Sequence, residues 1–194
     1  LPEVQPLDGR RISEMLSSIT QPQLERYYKL RYDRACKHSD SAVTLSFDST
    51  SISTYSNTIN AAAWGHAKQN PELRQVNYMT VCDHATGDVV FACSYDGSIN
   101  DQTILPEIYL RMKFAGLDLT NNILVTDRGF QSIYNTQTAI NLNLKYIQFL
   151  SLKEGAVKAH LQRHKQALCD SIAHKDPVLE ISAIAVPDEW KEYT

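Results

Sequence analysis

The sequence predicts an α/β fold in which a mixed five-stranded sheet is flanked by helices and preceded by a helical segment. The first observation is an alternation of apolar and polar residues over 43–48, followed by two strand-like runs around the turn-forming sequence DHATGD. The second is that the later apolar strands are separated by helical patterns, which gives two strand–helix–strand units. Such units join parallel strands, so the sheet must contain parallel as well as antiparallel pairs.

The composition is that of an ordinary globular protein. The chain has 194 residues, of which 43% are hydrophobic, and this suits one domain or one domain with an appendage. Its 19 Lys and Arg against 22 Asp and Glu give a net charge of -3, so any contact with nucleic acid must be local. The first residue, Leu1, indicates a piece cut from a longer protein.

The cysteines and the hydropathy indicate where the protein works. The four cysteines show no zinc-binding spacing, which predicts reduced core thiols and a cytoplasmic protein. No run of about 18 apolar residues is present, so no membrane contact is expected. No charged-then-apolar signal segment opens the chain.

The first forty residues predict two helices. Apolar residues at helical spacing define one face of the first, and Pro22 opens a second that runs to about His38. The second helix carries five basic residues, which form either a solvated face or a nucleic-acid contact: Arg26, Lys29, Arg31, Arg34 and Lys37.

The central part of the chain predicts the sheet and its crossover helices. Residues 43–48 form the first strand, and residues 76–82 and 89–95 form a hairpin. Asp101 is predicted to cap the next helix, which Gly116 ends. A strand over 123–127 follows, and Ser132 begins a helix with Ile133 and Ile140 inward.

The last elements are a strand over 146–152, an amphipathic helix past Gly155, and a strand over 178–186. The final two have no predicted place on the core.

Two aspartates stand on or at the end of predicted strands. Asp48 points away from the apolar row of the first strand, and Asp127 ends the fourth. A sheet built in this order can place these strands side by side, about 4.8 Å apart. Two carboxylates so close repel unless one is protonated or a cation lies between them, and hard ions such as Mg²⁺ take oxygen ligands. The alternative for each residue is an ordinary turn or helix-capping role.

Three blocks of sequence occur in the order seen in a known family. FDSTSIS (47–53), the long block 64–105 that begins WGHAKQ and ends with GSINDQTIL, and VTDRGF (125–130) resemble those of the DDE transposases of bacterial insertion sequences. The resemblance covers residues 43–152 and implies a ribonuclease-H-like catalytic core. It divides the chain into an N-terminal helical segment (1–40), the core (41–152) and the start of an inserted or C-terminal region (153–194).

The resemblance implies a site and an activity. Asp48 and Asp127 would be the first two acids of a metal triad that holds two Mg²⁺ or Mn²⁺ ions in the intact protein. The partners would be transposon ends and target DNA, with a homodimer as a possible assembly, and the reaction would be strand cleavage and strand transfer. The family's third acid, a glutamate among Tyr, Arg and Lys, is not visible. It is expected beyond residue 194, which predicts a chain that is inactive alone.

Other residues are candidates for contacts with DNA. His66 and Lys68 could reach a phosphate or lie in a solvated loop, and Arg128 could pair with the Asp127 carboxylate, the favoured alternative, or with phosphate. Trp64 is either a core aromatic or a base-stacking residue. Two other functions stay open: a metal-dependent nuclease of the same fold, and a catalytically decayed DNA-binding module.

Overall fold

The computed structural model describes residues 8–38, 42–65, 70–151, 155–170 and 182–186. Within these residues the chain forms five strands, five α-helices and one short 3-10 turn. In chain order the elements are α1 (Gly9–Ser17), α2 (Gln21–Lys37), β1 (Thr44–Thr54), β2 (Arg74–Asp83), β3 (Val89–Asp96), α3 (Asp101–Phe114), β4 (Ile123–Thr126), the 3-10 turn (Arg128–Phe130), α4 (Ile133–Asn141), β5 (Lys145–Gln148) and α5 (Gly155–Asp170).

The five strands form one mixed sheet in the order β3-β2-β1-β4-β5. β1, β2 and β3 pair antiparallel, whereas β4 pairs parallel with both β1 and β5. This confirms the predicted ribonuclease-H-like sheet, including the placement of the first strand beside the fourth. Since β4 is reached through α3 and β5 through α4, both crossovers have the predicted strand–helix–strand form.

The core lies between one face of the sheet and the helices α2 and α3. Alternate residues of β1, β2 and β4 are buried on this face, among them Leu45, Met79 and Leu124, each at most 1% exposed. From α3 the apolar stripe at helical spacing completes the core with Ile104, Leu105, Ile108 and Met112. A fully buried side chain of this size stabilises the fold by roughly 1.5–3 kcal/mol, so this face fixes which side of β1 turns to solvent.

The inward face of α4 differs from the prediction. Ile133 and Ile140 are 47% and 51% exposed, while Asn135 and Ala139 are buried. The physical reason is polar: the Asn135 side chain donates hydrogen bonds to two main-chain carbonyls, those of Asp101 and Phe130. A buried amide with partners can occupy a position that a count of apolar residues assigns to isoleucine.

The N-cap of α4 is the predicted residue, Ser132, whereas the N-cap of α3 lies one residue before the predicted Asp101. Ser132 accepts a hydrogen bond from the Asn135 backbone N–H, as predicted. At α3 the cap is Asn100, whose side-chain oxygen accepts from the Gln102 backbone N–H at 3.1 Å. Asp101 is the first helical residue, so its carboxylate is free for contacts other than capping.

The two predicted N-terminal helices are both present. One side of α2 is buried in the core through Tyr28, Tyr32 and Ala35. Arg31 of its basic face forms a salt bridge with Asp88 at 3.0 Å and donates to the Val89 carbonyl, which ties α2 to the β2–β3 hairpin. At least this part of the basic face therefore has a structural role.

The predicted amphipathic helix past Gly155 is confirmed as α5, whereas most of the predicted strand over 178–186 lies outside the described residues. All four cysteines are free; Cys169 is exposed rather than in the core as predicted, and Cys36, Cys82 and Cys93 are half-buried. In the described ranges no helix is both long and apolar enough to cross a membrane.

Candidate active site

The pairing of β1 with β4 brings the two predicted aspartates together. The parallel register ends with Phe47 opposite Thr126. Asp48 and Asp127 are the next residues along their chains, so they come side by side on adjoining segments. Neighbouring strands lie about 4.8 Å apart, which sets the scale of the distance between the two main chains.

The two carboxylates share the face of the sheet that turns away from α3. Phe47 and Thr126 are buried on the core face, and side chains alternate along a strand. Asp127 keeps an extended backbone, with φ of -76° and ψ of 177°, so the alternation continues through it. Both aspartates are exposed, and a ligand in solvent can reach them.

Asp127 also caps the turn that follows it. One carboxylate oxygen, Oδ1, accepts a hydrogen bond of 2.9 Å from the Gly129 backbone N–H. A Cβ at position 129 would lie 3.0 Å from this oxygen, so glycine permits the close approach. Asp127 therefore has both of the predicted features: it lies at the end of a strand and it caps a turn. The turn orients its carboxylate.

The surroundings of Asp48 are polar and anionic. It lies opposite Thr80 of β2, whose hydroxyl donates to the Asp48 carbonyl at 3.4 Å. Burial, and then the nearby Asp48 charge, raise the pKa of the Cys82 thiol. The Cys82 thiol therefore lies close enough to Asp48 for the charge of the carboxylate to act on it.

Two exposed carboxylates fit a hard divalent cation in the kind of donor they offer. In the described part of the chain, no group of three or more His, Cys, Asp or Glu side chains is arranged to hold a metal ion. The structure thus brings together two carboxylate side chains, those of Asp48 and Asp127, within the described residues. No third carboxylate joins this pair there.

Of the other residues predicted to contact DNA, the structure describes Arg128 and Trp64 but not His66 and Lys68. Arg128 is exposed, and its guanidinium forms none of the salt bridges seen within the described residues, so the favoured pairing with Asp127 is not observed. Trp64 is 62% exposed, which removes the core alternative. His66 and Lys68 lie outside the described residues.

Sequence reasoning missed a half-buried polar group beneath the site. The Asp101 carboxylate accepts hydrogen bonds of 2.5 Å from Ser49, the residue after Asp48, and from Tyr95. Asn135 joins the same cluster from α4. The only sequence signal was the block GSINDQTIL, which contains Asp101; nothing in the pattern of α4 distinguished Asn135.

Comparisons with known proteins give distant structural likenesses. No protein-family model matches the chain, and no curated protein matches it. Among solved structures it is similar to the piggyBac transposase in a synaptic complex with hairpin DNA, at 13% identity and a TM-score of 0.40, covering 80% of this chain and 33% of that one. It is also similar to the transposase of a pre-cleavage Mos1 transpososome, at 13% identity and a TM-score of 0.38, covering 82% and 57%.

A further similar structure is Ciona intestinalis Endonuclease V with a 24mer DNA containing an inosine followed by a ribo-adenosine. Its identity is 12% and its TM-score 0.32, over 82% of this chain and 69% of that one. The chain spans between a third and about three-fifths of the transposase chains it resembles. Because all three TM-scores are low, the fold assignment rests on the strand order and register.

Proposed function

We propose that the chain is the catalytic core of a DNA transposase of the DDE type. In the intact protein this core would carry out metal-dependent cleavage of transposon ends and transfer of the cut strand to target DNA. The observation that carries the proposal is the pairing of Phe47 with Thr126, which brings Asp48 and Asp127 side by side on the exposed face of the sheet. The ordered blocks of sequence at 47–53, 64–105 and 125–130 support it independently.

The electrostatics of the pair favour a bound cation. Two carboxylates on adjoining strands repel each other, and a divalent ion that both contact turns this repulsion into attraction. Asp48 and Asp127 would hold the ion, here Mg²⁺ or Mn²⁺, since both accept oxygen ligands. When bound, such ions activate an attacking oxygen and stabilise the leaving oxygen of a phosphodiester.

The protein's own contribution is placement. β1 and β4 fix the two carboxylates on paired strands, and the Gly129 N–H holds one oxygen of Asp127 in a set direction. In the described residues no donor contacts the second oxygen of Asp127, which leaves it for a ligand. The exposed Arg128 beside it can bind a phosphate oxygen, since the guanidinium fork suits that geometry.

No third carboxylate joins the pair within the described residues, and this bears on what the chain can do alone. Two carboxylates hold a divalent ion weakly compared with three, so we propose that a further acid comes from outside the described residues. A metal-dependent nuclease of the same fold uses the same pair of aspartates. The two functions differ in whether a DNA 3′-hydroxyl, rather than water alone, attacks a second phosphodiester.

Strand cleavage by a full-length protein that carries this core tests the proposal. Asp48→Asn keeps the size of the side chain and removes its charge, and it should abolish cleavage at the transposon end. Asp118→Asn is the matched control: Asp118 is also exposed, but it lies before β4. A strand-transfer assay on the wild type then separates a transposase from a nuclease. Normal cleavage by Asp48→Asn would refute the assignment.

A further inference from the structure

A polar bridge that is partly buried runs beneath the two aspartates, on the core side of the sheet. Its central group is the Asp101 carboxylate at the start of α3, and its second member is Asn135 of α4, which is 0% exposed. We infer that Asp101 and Asn135 are positioning residues that fix the spacing of Asp48 and Asp127. The geometry of this inference rests on hydrogen bonds alone. Its consequence, an effect on metal binding, rests on the proposed function.

The bridge begins at the strand that carries Asp48. Ser49, the next residue, points to the opposite face of β1, is 8% exposed, and donates a 2.5 Å hydrogen bond to Asp101 Oδ2. The other oxygen, Oδ1, accepts from the hydroxyl of Tyr95 on β3, also at 2.5 Å. Hydrogen bonds to a charged acceptor are about twice as strong as neutral ones, so the bond from Ser49 ties β1 to the start of α3 and the bond from Tyr95 ties β3 to it.

The bridge ends at the turn that carries Asp127. The Asn135 amide nitrogen donates to the Asp101 carbonyl at 3.0 Å and to the Phe130 carbonyl at 2.8 Å. Phe130 closes the 3-10 turn, since its backbone N–H donates to the Asp127 carbonyl. One side chain thus connects the residue that anchors β1 to the turn that orients Asp127.

Side-chain chemistry explains why asparagine is suited to this position. Both partners of Asn135 are carbonyl oxygens, so only a side chain with two donors on one atom can serve them together. Its own oxygen, Oδ1, is buried and accepts no hydrogen bond from the described residues. Leaving a buried acceptor unpaired is unfavourable, but this arrangement keeps the two hydrogen bonds that the amide nitrogen donates.

A second contact reinforces the same junction. The Ser132 hydroxyl accepts from the Asn135 backbone N–H and donates to the Gln102 carbonyl at 2.5 Å. The starts of α3 and α4 are therefore joined by two side chains, one from Ser132 and one from Asn135. Both lie immediately after the Asp127 turn, so any shift of α4 against α3 moves that turn.

The test compares Asn135→Asp with Asn122→Ala in this chain. Asn135→Asp has nearly the same shape but cannot donate either hydrogen bond. Asn122 is the matched control: it is also a buried asparagine, 3% exposed, and it lies next to the other end of β4, bonded to Tyr32. Urea unfolding gives the stability of each variant, so that effects at the site can be compared at similar global stability.

The first measurement is amide hydrogen exchange at Gly129, whose N–H is bonded to the Asp127 carboxylate. We expect exchange to rise at least about tenfold in Asn135→Asp and to stay near the wild-type rate in Asn122→Ala. Equal protection of Gly129 in folded Asn135→Asp and wild type would overturn the inference. This measurement needs no metal, so it decides the bridge whether or not the proposed function is correct.

The second measurement is the Mn²⁺ dissociation constant by calorimetry. Asp101→Ala removes both acceptor oxygens and Asp101→Asn keeps one, so we expect a weakening of about tenfold or more for Ala and a smaller loss for Asn. Wild-type Mn²⁺ affinity in Asp101→Ala, with binding still lost in Asp48→Asn, would overturn the inference but leave the proposed function standing. Mn²⁺ binding that survives Asp48→Asn would instead refute the proposed function. The hydrogen-exchange result at Gly129 would then decide alone whether the bridge positions the Asp127 turn.

Discussion

Phe47 of β1 pairs with Thr126 of β4, and the residue that follows each of them is an aspartate. The pair is the last one in a parallel ladder, so Asp48 and Asp127 meet where β4 gives way to a turn. β1 continues to Thr54, and the carboxylates are therefore supported by a long strand on one side and a capped turn on the other. This junction of a rigid strand and a turn is the basis of the proposed metal site.

Arg128 is expected to contact DNA in the full-length protein. It is exposed and directly follows Asp127. Arg128→Ala should weaken binding to transposon-end DNA and lower the slope of log affinity against log salt by about 0.9, the share of one phosphate. Binding titrations at several salt concentrations measure both quantities.

The control for this prediction is Lys113→Ala, an exposed basic residue in the last turn of α3. It removes the same charge at the end of the helix away from Asp101, so the affinity and the slope should stay near wild type. Equal salt slopes for Arg128→Ala and the wild type would show that Arg128 makes no phosphate contact.

Gly97→Ala should destabilise the fold severely. A Cβ at this position would lie 1.9 Å from the Gln75 carbonyl oxygen and 2.9 Å from that of Ala63, and both are main-chain atoms that cannot move aside separately. The expected loss is about 3 kcal/mol or more in the free energy of unfolding, measured with urea. Gly9→Ala, where nothing lies within 4 Å of the added carbon, should leave the stability within about 0.5 kcal/mol. A stable Gly97→Ala variant would contradict the close approach.

Stability should fall at alkaline pH because buried tyrosines must stay neutral in the folded state. Burial is the largest cause of raised pKa values in three buried tyrosines, Tyr28, Tyr32 and Tyr95, and in the half-buried Tyr146. For Tyr28 the pKa rises from 10.0 to about 12. The folded-state pKa is above the unfolded one, so the stabilisation is complete below about pH 10 and is lost as the pH rises through the folded value.

Urea unfolding between pH 7 and 12 measures this effect. The free energy of unfolding should change little from tyrosine ionisation up to pH 9 and then fall by up to about 1.4 kcal/mol per pH unit for each such tyrosine. Tyr28→Phe should make the fall shallower, whereas Tyr55→Phe should not, since Tyr55 is 84% exposed. The same slope in Tyr28→Phe and the wild type would show that Tyr28 does not contribute.

The sheet could be predicted from local signals. Alternation over 43–48, the turn sequence DHATGD and the apolar strand before Asp127 are each readable within a few residues, and the order of elements then restricts the topology. That order allows β1 to lie beside β4, and the structure shows this placement. The positions of Asp48 and Asp127 could also be predicted, because each lies on or at the end of a strand whose apolar face is evident from the sequence.

The polar interior could not be predicted in the same way. Asn135 occupies the inward face of α4 because two carbonyls from distant parts of the chain converge there, and hydropathy at residues 133–141 carries no trace of them. The expected pairing of Arg128 with Asp127 is not observed among the described residues, where Asp127 Oδ1 accepts a hydrogen bond from the Gly129 backbone N–H instead. Such choices depend on tertiary geometry rather than on local pattern.

The most direct test of the account is a calorimetric titration of this chain with Mn²⁺, beside Asp48→Asn, Asp127→Asn and the control Asp118→Asn. Each variant is first checked for wild-type unfolding in urea. If the two carboxylates share one site, Mn²⁺ binding should be present in the wild type and the control and absent from both site variants. Binding that persists unchanged in Asp48→Asn or Asp127→Asn would contradict a shared site and place the metal elsewhere.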